Sequence, residues 1–93
     1  MSQTVIQQEL ANRSGWTYTG DAIEKEYSFS IYMDGVTFIN KLAASAEQLN
    51  HHPDIKLTWG RVFVTLSTHD AAGVTALDFR FADQADSFYS ASE

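Results

Sequence analysis

The apolar residues of this chain change period along its length, and that change limits the folds open to it. Phe38, Ile39, Leu42, Ala43, Ala46 and Leu49 recur at intervals of three and four, the spacing of one buried helical face. Tyr27, Phe29, Ile31 and Met33 instead alternate with Ser28, Ser30 and Tyr32, and Val62, Val64 and Leu66 alternate with Phe63, Thr65 and Ser67. Strict alternation marks a strand with one buried face. At 93 residues the chain has room for one domain, spanning 1–93. Helices and strands in such a chain share a single core.

Local signals divide the chain further. Thr4 and Gln7 fit a capping box at the head of a first helix, with Val5, Ile6 and Leu10 as its apolar stripe and Gly15 as its stop. Gly20 and Asp21 suit a turn between a short strand around Trp16–Thr19 and the strand that follows. Asp34 is placed to cap the central helix. That helix must end near Asn50–His52, because Pro53 disfavours helical backbone in the residue before it. After "RVFVTLST", the segment "HDAAG" breaks the strand and "GVT" supplies a short extended piece. Thr75 opens a last helix in which Leu77, Phe81, Ala85 and Phe88 share a face. This order predicts an α+β domain with helices packed on one face of an antiparallel sheet.

Composition excludes several functions. A formal charge of −6, with six basic residues scattered along the chain, argues against a nucleic-acid or anionic-membrane surface. Without cysteine there is no disulfide, thiolate catalysis or Cys-based zinc site. "MSQTVIQQELANRSG" lacks the basic start and apolar run of a signal peptide, and no apolar stretch approaches a membrane span. The simplest reading is a soluble cytoplasmic protein. A chain this short buries only roughly 60–65% of its unfolded surface. With 13% aromatic residues seeking cover, a homo-oligomer is expected.

All the imidazoles fall in "EQLNHHPDIKLTWGRVFVTLSTHD": His51, His52 and His69. Neighbouring helical residues point about 100° apart, and no histidine pair has the spacing of four that grips an ion, so metal is disfavoured. Proton transfer fits better, since imidazole titrates near neutral pH. His51 and His52 close a helix whose terminal carbonyls attract positive charge, and His69 ends a strand. From two elements they could flank a small molecule as acid and base. The alternative is a plain helix terminus and a solvated turn. None of the three lies on an apolar stripe, so the fold should survive their removal.

"AEQLNHHPD" and "LSTHDAAGVTALDF" together resemble the signature of the pterin-4a-carbinolamine dehydratases. That pattern has an acidic residue four before His-His-Pro, then an aromatic, Thr-His and Asp; Glu47, His51, His52, Pro53, Trp59, Thr68, His69 and Asp78 match it. Gly15–Trp16 and the "YSFSIY" strand agree as well. The resemblance implies α-β-β-α-β-β-α order: a four-stranded antiparallel sheet with three helices packed on one face, assembled as dimers or dimers of dimers. The "GVT" piece is the candidate for the fourth strand. The resemblance also implies elimination of water from a 4a-hydroxytetrahydropterin to give quinonoid dihydropterin, without metal or organic cofactor.

On that resemblance, His51 and His69 are the proton-transfer candidates and His52 mainly binds and orients the substrate. Backbone around Pro53, Thr68, Asp70 and Ala71 would border the pterin. Asp78 has two readings: capping partner of Thr75, favoured by their spacing, or support for a histidine. Glu47, at spacing four, could bond His51 or be an exposed helical glutamate. Many relatives carry Trp where this chain has Ile55, and a charge where it has Leu77. Some relatives also serve as a dimerisation cofactor for a transcription factor, binding a partner through a helix face. That is the rival to catalysis.

Overall fold

Residues 1–92 are described by the computed structural model. The first helix, α1, runs Gln3–Leu10, and its cap is Ser2, whose side chain accepts from the Val5 amide at 3.2 Å. Thr4 therefore lies inside the helix. Starting at Ser2 lengthens the helix and uses a better capping residue than threonine. Of the expected stripe, Ile6 is buried and Leu10 packs against the core, while Val5 is exposed.

A hairpin follows, β1 (Thr17–Tyr18) with β2 (Ile23–Ser28), turned at Gly20 with φ of 111°. Ile23 and Tyr27 face the core, but the strand stops at Ser28. Phe29 still packs on the core, whereas Ile31 and Met33 are exposed, so the alternation past Ser28 is not strand. The partner explains the stop: Ser28 pairs with Arg61, the first residue of the facing strand.

The central helix α2 spans Tyr32–Leu49. It has no side-chain cap; Asp34 sits in its first turn, complementing the dipole there. Phe38, Leu42 and Ala46 form its buried face, with Ile39 and Leu49 at the margin and Ala43 exposed. The C-terminus closes as a Schellman turn: Asn50 is left-handed at φ 50°, and the His51 amide returns to the Ala46 carbonyl at 3.0 Å.

Beyond Pro53 come β3 (Asp54–Leu57) and β4 (Arg61–Leu66), an antiparallel pair. The sheet order is β1-β2-β4-β3, antiparallel throughout. The fourth strand is thus "DIKL", not "GVT"; Gly73 makes one isolated bridge to Thr68, and Val74 is a buried anchor. The last helix, α3, covers Ala76–Ser92. Phe81 and Ala85 are buried as expected, but Asp78, Phe79 and Ala82 complete the face, and Leu77 and Phe88 are half-buried. The element order is α-β-β-α-β-β-α.

The core joins Ile23, Tyr27, Val62, Val64 and Leu66 of the sheet to Phe38, Leu42, Phe79 and Phe81 of the helices. The other sheet face stays polar, with an Arg61–Glu26 ion pair at 2.9 Å and Lys56 lying over Phe63. Among the described residues no helix is long and apolar enough to cross a membrane.

Candidate active site

Antiparallel pairing brings the start of β3 and the end of β4 to the same end of the sheet, so residues 50–54 and 67–70 lie side by side. The left-handed Asn50 turns the chain out of α2 and aims His51 back under the sheet end, where it is only 8% exposed. After β4, Thr68 leads into a 3-10 turn at His69–Ala71, and Ala72 is left-handed at φ 52°. Reciprocal Thr68–Gly73 backbone bonds of 2.8 and 3.3 Å close this loop. His69 and Asp70 project from it, exposed.

Asp78 is the centre of the arrangement. It is fully buried, and its Oδ1 lies 2.5 Å from His51 Nε2. Oδ2 accepts from Thr68 Oγ1 at 2.8 Å and from the Thr75 amide at 2.9 Å. The Thr75 hydroxyl accepts from the Leu77 amide at 3.3 Å, which completes the capping box. Asp78 therefore takes part in both arrangements, accepting from the Thr75 amide at the head of α3 and meeting the His51 ring. A buried carboxylate is tolerable only with such partners.

Glu47 is not where helical spacing put it. Its carboxylate meets His52 Nε2 at 2.5 Å, and both side chains are exposed. The left-handed Asn50 breaks the helical phase, so the residue five positions on, rather than four, comes within reach.

A cleft of about 370 Å³ opens between the two segments, within the range of small-molecule sites. Of the residues singled out from sequence, His51, His52, Pro53, Thr68, His69 and Asp70 line it. Ala71, Glu47 and Asp78 do not; Asp78 stands behind His51. Asn50, Asp54, Ser67 and Leu77 line it without having been anticipated as site residues. Asn50 carried a usable signal, since Asn tolerates left-handed backbone just before a proline-terminated segment. Trp59 is elsewhere: it sits 77% exposed in the β3–β4 turn, at the opposite end of the sheet. Among the described residues no group of three or more His, Asp or Glu converges as metal ligands would. A larger groove of about 460 Å³ between α2 and α3 contains Lys41, Ser45 and Gln84 but no histidine.

Fold and site together define a small helix-on-sheet protein with a histidine-lined cleft at one sheet end, one imidazole seated on a buried carboxylate. The chain belongs to the pterin 4 alpha carbinolamine dehydratase family, whose model matches residues 1–88. Two curated relatives bear the provisional name pterin-4-alpha-carbinolamine dehydratase. The one from Herpetosiphon aurantiacus is 38% identical, covering 100% of this chain and 97% of its own. The one from Thermosynechococcus vestitus is 40% identical, covering 88% and 86%. A solved structure described as a transcriptional coactivator/pterin dehydratase from Brucella melitensis superposes with a TM-score of 0.91 at 31% identity, covering 96% of this chain and 97% of that one. A pterin dehydratase-like RuBisCO assembly factor of the alpha-carboxysome shares the fold, with a TM-score of 0.71 at 24% identity over 83% of this chain and 92% of that one.

Proposed function

We propose that the protein dehydrates a 4a-hydroxytetrahydropterin to quinonoid dihydropterin by histidine acid–base catalysis. One observation carries the reading: all three histidines of the chain line a single cleft, and one of them is held by a buried carboxylate. The reaction breaks the bond between C4a and the hydroxyl oxygen. One group protonates that oxygen so that it leaves as water, and another takes the proton from the ring nitrogen as the C=N bond forms. Each positioned proton transfer contributes about 10²–10⁴-fold. His51, fixed by Asp78, and His69, on the opposing loop, serve as the proton-transfer pair. His52, tethered to Glu47 at the rim, orients the ring. Backbone groups of Pro53 and Asp70 offer hydrogen bonds to its polar edge. Such an elimination is redox-neutral and asks for no metal or organic cofactor. The working unit is one cytoplasmic domain in a homo-oligomer.

The decisive experiment follows turnover of a freshly generated 4a-hydroxytetrahydropterin by the purified protein, before and after exhaustive EDTA treatment. Acceleration unaffected by EDTA is expected. No acceleration overturns the reading, and loss that zinc restores overturns its metal-free form. A second reading, a non-catalytic dimerisation cofactor that binds a partner helix, draws on the coactivator description of the Brucella melitensis relative and on the exposed Ile31, Met33 and Trp59. That reading predicts no turnover.

A further inference from the structure

We infer that the hydroxyls of Thr68 and Thr75 are positioning residues that set the proton of His51 on Nε2 and leave Nδ1 as its working nitrogen. The inference rests on the proposed dehydration for its kinetic consequence, but its structural content is independent of it.

The direction of each hydrogen bond follows from counting protons. A carboxylate only accepts, and each hydroxyl has one proton to give. Thr68 Oγ1 donates to Asp78 Oδ2 at 2.8 Å, which uses its proton. The 2.8 Å contact between Thr68 Oγ1 and Thr75 Oγ1 must then be donated by Thr75. Thr75 Oγ1 can give that proton because it accepts from the Leu77 amide at 3.3 Å. The chain therefore runs one way, from the Leu77 amide through Thr75 and Thr68 to Asp78. With Oδ2 also taking the Thr75 amide, Asp78 is an acceptor on every side, and His51 Nε2 must supply the proton on the 2.5 Å contact to Oδ1.

In the neutral ring this leaves the lone pair on Nδ1. No buried side-chain nitrogen or oxygen among the described residues lacks a partner, and His51 lines the cleft, so Nδ1 is the edge it presents there. Thr68 also immediately precedes His69, and the Thr68–Thr75 bond spans the loop that carries it. One hydroxyl pair thus holds Asp78 as the acceptor that keeps the His51 proton on Nε2, and it also places the loop that carries the other histidine. Polarised chains of this kind strengthen each member, so their loss is felt at the imidazole.

The test is ¹⁵N NMR of the histidine rings of the full-length protein at alkaline pH, together with steady-state kinetics. The wild-type His51 signal is expected to be that of the Nε2–H tautomer. Thr68→Val should mix the tautomers and lower kcat about tenfold, with KM within about twofold. Thr75→Val should do the same more weakly, and Thr68→Ser and Thr75→Ser should restore both readouts. An Nδ1–H tautomer in the wild type overturns the inference without recourse to any variant. So does a Thr68→Val protein that loses thermal stability but keeps its kcat and its tautomer. A wild-type protein that shows the Nε2–H signal and does not dehydrate the pterin supports the hydrogen-bond chain and overturns the proposed function instead.

Discussion

Tyr27 Oη donates a 2.6 Å hydrogen bond to Asp86 Oδ1, joining the middle of the sheet to the last helix. Lys25 Nζ reaches the same oxygen at 2.8 Å, and Trp16 Nε1 donates to Oδ2 at 3.1 Å. Burial, then the bond to Asp86, raises the Tyr27 hydroxyl well above the ordinary tyrosine range. Above about pH 10 the unfolded chain releases this proton and the folded protein keeps it. The unfolded state then binds fewer protons, so stability is complete below that pH and falls as pH rises. The limiting slope is about 1.4 kcal/mol per pH unit. Urea titrations between about pH 9 and 11 should show that decline, and Tyr27→Phe should flatten it. An equal slope in both proteins would refute the assignment.

His51 and His69 should differ sharply in what they do for the fold. His51→Ala strips the fully buried Asp78 of one of its partners and should destabilise by on the order of 3 kcal/mol. His69 is exposed, and His69→Ala should leave the denaturation midpoint unchanged. Chemical denaturation of both variants decides this. Equal midpoints would mean that the His51–Asp78 contact contributes nothing to stability.

For Glu47 and His52 the expectation is kinetic. Their pair is exposed at the cleft rim, where an ion pair contributes little to stability. His52→Ala should raise KM with kcat within about threefold, because an orienting contact acts on bound substrate and transition state alike. Glu47→Gln should give a smaller change of the same kind. A selective collapse of kcat in His52→Ala would make His52 a proton-transfer group instead.

Assembly can be read from the far end of the sheet. The Phe29 amide bonds the Gly60 carbonyl at 2.9 Å, which draws the segment carrying Ile31 and Met33 towards the turn carrying Trp59. These three side chains are 59%, 60% and 77% exposed, large apolar surface at one end of a small protein. Sedimentation at micromolar concentration should show a dimer or tetramer. Met33→Lys with Trp59→Lys should shift it towards monomer. A wild-type monomer would contradict the expectation.

What could be read from the residues, and what could not, divides along range of interaction. The buried faces of α2 and β4 were legible because Phe38, Leu42 and Ala46, and Val62, Val64 and Leu66, are periodic over enough residues to be unambiguous. Ile31 and Met33 misled because "YSFSIYM" keeps its alternation past the point where the neighbouring strand ends, and only pairing shows that end. "DIKL", at four residues, is too short to declare a period, whereas "GVT" carries β-branched residues that suggest a strand yet makes a single bridge. At the site, the histidines stood out by type and grouping, while Asp78 came in through the family resemblance, its spacing from Thr75 pointing only to a helix cap. Which carboxylate meets which imidazole was not legible, because the answer hangs on one left-handed residue, Asn50, that shifts Glu47 from His51 to His52.

Helix α3 carries Asp78 near its start and Asp86 further along, each engaged with a different cluster of donors. Eight residues of helix separate them by about 12 Å along the axis and fix their angular offset. Adding or removing one residue between them would swing one carboxylate by about 100° relative to the other. Either the imidazole would lose its anchor or Trp16, Lys25 and Tyr27 would lose theirs. Indels in this lineage should therefore collect in the surface turns near Gly20 or Gly60, while the stretch from 78 to 86 keeps a constant length. A frame of that kind lets side chains diversify freely and forbids the helix to change its phase.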